Sequence, residues 1–203
     1  MISGEFSPRV RDVILRDGTT MRLRPPERSD LDLVLAFFGG LTVESLYTRF
    51  HGIPRVAAKL VEGDLDPDWV ERGALVGTVG EGVQEQIVAL ASYVRLRDLA
   101  VAEVAFAVAD ATQGKGVGTR LLEQLAETAS SVGIGCFVAE VLADNRPMLG
   151  VLADAGFEQT RERESGVVEV RLALGSTARY LDRVDDRDPV SYTHLTLPTT
   201  PYV

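Results

Sequence analysis

Glu103-Val104-Ala105-Phe106-Ala107-Val108-Ala109-Asp110-Ala111-Thr112-Gln113-Gly114-Lys115-Gly116-Val117-Gly118 is the stretch on which the fold turns. An apolar run that reads as a strand feeds a glycine-rich turn. Beyond the turn Val117, Leu121, Leu122, Leu125, Ala129 and Val132 recur at helical spacing. Gly114, Gly116 and Gly118 permit positive φ and let a ligand approach the backbone closely. Successive amide N–H groups at such a turn form an anion nest, and the next helix adds its unpaired N–H groups and dipole. The segment therefore predicts a pyrophosphate cradle, with Lys115 near enough to add positive charge. Other phosphate motifs fit worse. A nucleotide P-loop would need glycine at Ala109 and Ser or Thr at Gly116, and a dinucleotide fingerprint would need glycine at Thr119. A turn that merely joins strand to helix is the plain alternative.

Working outward, residues 12–24 alternate around Asp17-Gly18, a hairpin signal. Ser29-Asp30 opens a helical pattern that Gly39-Gly40 stops, and Thr42 starts a second holding Leu46, Tyr47 and Phe50. A third helical piece is predicted over 55–62, then a polar loop over 64–68. Strand-like runs follow at 74–79, 86–96 and 102–108, turning at Glu81-Gly82 and Arg97-Asp98. After the helix that Gly133 closes come a strand over 134–141, a helix over 145–155 ended by Gly156, and a hairpin of 157–163 with 167–174. The order predicts an α/β (α+β) domain with a mixed, mostly antiparallel sheet flanked by helices.

Residues 1–11 read as an N-terminal extension, 12–175 as the domain, and 176–188 as a charged linker. Residues 189–203 carry no Asp, Glu, Lys or Arg and resemble the translation of a sequencing adaptor, so they are left out of fold reasoning. The chain carries 21 Lys+Arg against 30 Asp+Glu, a net charge of -9, which argues against nucleic-acid binding and leans toward a basic partner. The single cysteine, Cys136, excludes an internal disulfide and a cysteine-based zinc cluster, and reads as a small buried strand residue. No metal is expected. No run is apolar enough to span a bilayer, no membrane partner is expected, and the start lacks the features of a signal peptide, so a cytoplasmic location is expected.

Gln113-Gly114-Lys115-Gly116-Val117-Gly118 resembles the Gln/Arg-x-x-Gly-x-Gly/Ala motif of the GNAT superfamily of N-acetyltransferases, and Asn145-Arg146-Pro147-Met148-Leu149 to Gly156-Phe157 resembles that family's second coenzyme segment. Ser45-Leu46-Tyr47-Thr48-Arg49-Phe50, Ala102-Glu103-Val104-Ala105-Phe106 and Ala139-Glu140-Val141-Leu142-Ala143-Asp144-Asn145 look like the GNAT domains of Pat-type protein lysine acetyltransferases. They look closer still to those fused to ADP-forming acyl-CoA synthetase-like regions. The resemblance implies transfer of an acetyl group from acetyl-CoA, as co-substrate, to an amine within a ternary complex, the acceptor being a protein lysine. It implies a sheet splayed at the acyl-CoA site, with pantetheine along Phe106, Ala107 and Val108, and the Val108 N–H polarising the thioester carbonyl. Pyrophosphate would lie on Gln113, Gly114, Lys115, Gly116, Val117 and Gly118, and Asn145 would bind the coenzyme. A fused CoA-ligase region is a further implied partner.

Attack by lysine needs a base, and Glu103 is the candidate: it is a charge in an otherwise apolar strand, at the position where Pat-type domains place a base. A strand-end carboxylate paired with Arg95 is the alternative. The tyrosine general acid common in the family is replaced by Leu152. Tyr93 and Tyr47 read as core aromatics, with substitution for that acid as the alternative, His51 as a surface or capping residue, with a base as the alternative, and Trp69 as either a loop anchor or an acceptor contact. Small-amine acetylation, and acyl-CoA sensing without catalysis for a fused synthetase, are the competing functions.

Overall fold

The structure is a computed structural model that describes residues 8–50, 52 and 57–175. His51, residues 53–56, the 176–188 linker and the 189–203 segment lie outside the described residues. Strands β1 (Arg11–Ile14) and β2 (Thr20–Arg24) form the hairpin expected around Asp17-Gly18, with Gly18 at φ 84°. Helices α1 (Leu31–Gly39), α2 (Val43–Phe50) and α3 (Ala58–Val61) follow. Next come β3 (Arg72–Val79), β4 (Gln86–Arg95) and β5 (Val101–Val108), then α4 (Val117–Ser131), β6 (Cys136–Leu142), α5 (Arg146–Asp154), β7 (Glu158–Glu164) and β8 (Val167–Ala173).

The eight strands make one mixed sheet in the order β1-β2-β3-β4-β5-β6-β8-β7. All pairings are antiparallel except β5 with β6, which are parallel. That junction is short. Only Val101↔Cys136, Ala102↔Phe137 and Glu103↔Val138 are in register, after which the two strands part. A parallel pair needs a crossover, and the glycine turn with α4 supplies it.

Two apolar clusters hold the sheet between helices. On one face Leu121, Leu122, Leu125 and Ala129 of α4 pack with Leu75, Tyr93, Val104, Phe137 and Val170, with Leu152 of α5 joining them. On the other, Val34, Phe37 and Phe38 of α1 and Val61 of α3 cover Val76, Leu90 and Ala107. β4 is consequently buried along both faces from Ile87 to Tyr93, which explains why its sequence reads as a continuous apolar run rather than an alternation. Each buried leucine or phenylalanine contributes about 1.5–3 kcal/mol of burial. A buried ion pair fastens β2 to α1: Arg24 Nη1 and Nη2 donate to Asp30 Oδ2 and Oδ1 at 2.6 and 2.8 Å. Burial pushes the Asp30 carboxyl up, but the Arg24 guanidinium and the Glu27 amide outweigh it and hold it below the usual carboxylate range.

Candidate active site

Where β5 and β6 part, two cavities meet. The larger, about 620 Å³, is lined by the end of β5 (Phe106, Ala107, Val108), the glycine turn and the start of α5 (Asn145, Arg146). The smaller, about 290 Å³, lies in the parting itself, between Glu103, Val104 and Ala105 of β5 and Ala139, Glu140 and Val141 of β6. Phe106, Thr48, Asn145 and Met148 line both, so the two form one channel.

In the larger cleft the turn divides the labour of its three glycines. Gly114 (φ 75°) and Gly116 (φ 90°) take left-handed conformations, Gly116 as the N-cap of α4. Gly118 does not. A Cβ there would stand 3.3 Å from Val151 Cγ2, so this glycine lets α5 pack against α4 and the expected positive φ is corrected. Val117 is buried in the core, which leaves its backbone as the part that can face a ligand. The Lys115 ammonium is held by Asp17 Oδ2 at 2.9 Å, and Lys115 is absent from the cleft wall. The Asp17 carboxyl is in turn held down to about 2 by that lysine and the Thr19 amide. Gln113 Nε2 donates to the Val108 carbonyl at 3.2 Å and to Ser45 Oγ at 3.3 Å, so its side chain ties the turn to β5 and α2.

The strand end has a useful polarity. The Ala109 N–H donates to Val88 O on β4 at 2.8 Å. Backbone groups alternate sides along a strand, so the Val108 N–H is directed into the parting, where its carbonyl already meets Gln113. Asn145 caps α5, its Oδ1 accepting from the Met148 N–H at 3.1 Å, and its amide nitrogen is the group left to meet a ligand. A cleft with a left-handed glycine turn over a helix N-terminus, beside an unpaired strand edge, suits a molecule with phosphates at one end and amides along an extended arm.

The smaller cavity is lined by Glu103 and Glu140, both exposed, Glu103 at the end of the paired junction and Glu140 two residues beyond its partner Val138. Arg95 does not pair with Glu103. Its guanidinium donates instead to the carbonyls of Leu99 and Val132, both at 2.9 Å. Arg49 of α2 lies under the cavity, its Nη2 donating to Ser92 Oγ at 3.4 Å and its guanidinium stacked 5.0 Å from the Phe50 ring centroid. Burial pulls the Arg49 guanidinium down, while the Asp64 and Glu103 carboxylates act the other way. Burial likewise raises the Asp64 carboxyl, against Arg49 and a hydrogen bond from Ser92. Sequence reading gave a role to neither Arg49, which lies in the Ser45–Phe50 segment, nor Asp64, because their partners come from separate elements.

Other expectations resolve individually. Leu152 is fully buried in the core, with no hydroxyl to protonate a leaving group. Tyr93 is a core residue whose hydroxyl donates to Trp69 O at 2.8 Å, and Trp69, 5% exposed, anchors its loop. Tyr47 is not a core aromatic: it is 47% exposed and lines the larger cleft. Cys136, expected buried, is partly exposed at the start of β6.

Residues 43–157 match the Acetyltransferase (GNAT) family. The chain is 34% identical over 157 residues to Acetyltransferase Pat of Mycolicibacterium smegmatis, covering 77% of this chain and 46% of that protein, so it spans about half the relative's length. It superposes on the GNAT domain of S. lividans PAT with a TM-score of 0.74 and 38% identity, covering 81% of this chain and 96% of that one. The fold also matches yncA of Salmonella typhimurium, a structure with its cofactor acetyl-CoA, at a TM-score of 0.62 and 19% identity over 78% and 96% of the two chains. A splayed mixed sheet, a glycine turn at the head of α4 and these two matched sequences place the chain in the GNAT acetyltransferase family.

Proposed function

We propose that the protein transfers an acetyl group from acetyl-CoA to a lysine amine on another protein, with Glu103 as base. The observation that carries the reading is the junction of the two cavities at Phe106, which brings a phosphate-binding turn and a carboxylate to opposite ends of one channel. Acetyl-CoA supplies an activated thioester. Turn amides and the α4 N-terminus hold its phosphates, and the unpaired edge of β5 aligns the pantetheine amides as an added strand would. The Val108 N–H donates to the carbonyl oxygen as negative charge builds there. An acceptor lysine, with an ordinary pKa of about 10.4, arrives protonated. Glu103 takes that proton, directly or through water, and the freed nitrogen lone pair attacks the carbonyl carbon. As the C–N bond forms the C–S bond breaks, and the second amine proton passes through water to the departing thiolate, because Leu152 leaves no tyrosine there to donate one.

A protein-borne, cationic acceptor fits the surroundings of the smaller cavity. The face of β6, β8 and β7 that continues from it carries Glu140, Glu169 and Glu162 directly opposite one another in register. Like charges so placed repel; Arg171 already meets Glu169 at 3.4 Å, and a basic segment around the target lysine would relieve the others. The test is free-thiol release from acetyl-CoA with a panel of lysine-bearing proteins and of small amines. Release that depends on a protein acceptor and collapses in Glu103→Gln supports the reading. Release with small amines alone would replace the acceptor, and tight binding without turnover on any acceptor would favour an acyl-CoA sensor.

A further inference from the structure

We propose that Arg16, at the tip of the β1–β2 hairpin, is a specificity-determining residue of the coenzyme cleft, binding the diphosphate that lies on the 114–118 turn. The proposal rests on the reading of that cleft as an acyl-CoA site. Amide N–H groups of a turn are neutral donors, and a diphosphate brings formal negative charge that calls for a cation. The cation within the motif, Lys115, is already engaged by Asp17 at 2.9 Å and does not line the cleft. Arg16 does line it. Its Nε stands 3.7 Å from the position a Cβ on Gly116 would occupy, over the residue that caps α4. Among the described residues its side chain has no hydrogen-bond or ion-pair partner, so all its guanidinium donors are available.

The hairpin tip is held in place by contacts that leave this side chain out. Leu15 N donates to Thr19 O at 2.8 Å and Gly18 N to Leu15 O at 2.9 Å. The Arg16 N–H donates to the Lys115 carbonyl at 3.1 Å, and Asp17 accepts from Lys115 Nζ and, through Oδ1, from the Thr19 N–H at 3.0 Å. Lys115 thus works as a fastener that docks the hairpin on the turn, and the fastened hairpin presents Arg16. The cleft also carries Glu44, Asp144 and Asp154, with Arg146 the other arginine of its wall. In so acidic a lining a single arginine at the turn weighs heavily on which ligand is accepted.

Calorimetric binding of acetyl-CoA, acetyl-dephospho-CoA and acetyl-pantetheine to wild type, Arg16→Gln and Arg16→Lys tests this, with thermal unfolding to confirm that the variants fold. Arg16→Gln is expected to weaken acetyl-CoA and acetyl-dephospho-CoA alike, by about tenfold, and to leave acetyl-pantetheine unchanged, with Arg16→Lys recovering part of the loss. A loss seen with acetyl-CoA but not with its dephospho form would move Arg16 to the 3′-phosphate and overturn the placement on the turn. An equal loss for all three ligands would make Arg16 structural, and no loss at all would remove it from the site. Wild type that fails to bind acetyl-CoA would overturn the coenzyme reading itself, whereas wild type and Arg16→Gln binding equally well would overturn this inference alone.

Discussion

The two cavities, proposed above to hold coenzyme and acceptor, share a wall but are built by different means. The cleft is made largely of backbone: the Val108 amide, the 114–118 turn, the head of α4 and the Asn145 cap. The smaller cavity is made of side chains from four elements, Arg49 and Phe50 of α2, Glu103 of β5, Glu140 of β6 and Met148 of α5. Backbone recognition tolerates side-chain change and depends on conformation. Side-chain recognition depends on identity and is lost with one atom. α2, β5 and α5 each serve both regions, through Thr48, Phe106 and Met148.

Four substitutions would break or sharpen that contrast. Glu103→Gln keeps size and removes basicity, so kcat/KM should fall by about 10²–10⁴-fold while the acetyl-CoA dissociation constant stays put; steady-state kinetics beside calorimetry reads both. Gly116→Val should do the reverse. A β-branched residue at φ 90° costs about 1–2 kcal/mol, roughly tenfold in coenzyme affinity, with turnover at saturation little changed. Asp110→Ala should touch both regions. Asp110 accepts from the Thr42 N–H and hydroxyl and from Ser45 Oγ, at 3.1, 3.0 and 2.8 Å, so it caps α2 from a distance. Its loss should lower stability by about 1 kcal/mol and raise both KM values a few-fold, measured by urea unfolding and two-substrate kinetics.

Lys115→Met should matter least, below about threefold in coenzyme affinity, since an exposed ion pair contributes little and the Arg16 N–H to Lys115 carbonyl bond that also docks the hairpin is kept. The same pair sets a pH expectation. A carboxyl held down to about 2 in the fold, against about 3.9 unfolded, keeps its pairing at every pH above the unfolded value and gives it up only as pH falls through about 2. Coenzyme affinity measured from pH 8 to pH 5 should therefore show no step from the Asp17–Lys115 contact.

The contrast also explains what was legible in the sequence. Strand and helix patterns located the core elements within a few residues, because β4 is a continuous apolar run and α4 buries a repeating face. Gly114 and Gly116 announced their turn because only backbone conformation is at stake there. Gly118 looked the same in sequence but is small for the sake of Val151, and no spacing rule separates a φ requirement from a packing requirement. Arg16 and Asp17 could not be assigned to the turn, since the hairpin reaches it only after the sheet has assembled. The Arg49–Ser92 contact is hidden for the same reason, as is the exposure of Tyr47, whose helix has no fully buried residue.

The three-residue junction of β5 with β6 has a mechanical consequence. The sheet amounts to two plates, one of five strands and one of three, riveted at a single end. Strand pairing between the plates is confined to Val101 to Glu103, and beyond it the plates are joined through α4, which packs on both. Any molecule that lies along the parting acts as a shim, so the width beyond Glu103, at Glu140, would be fixed by what occupies the seam.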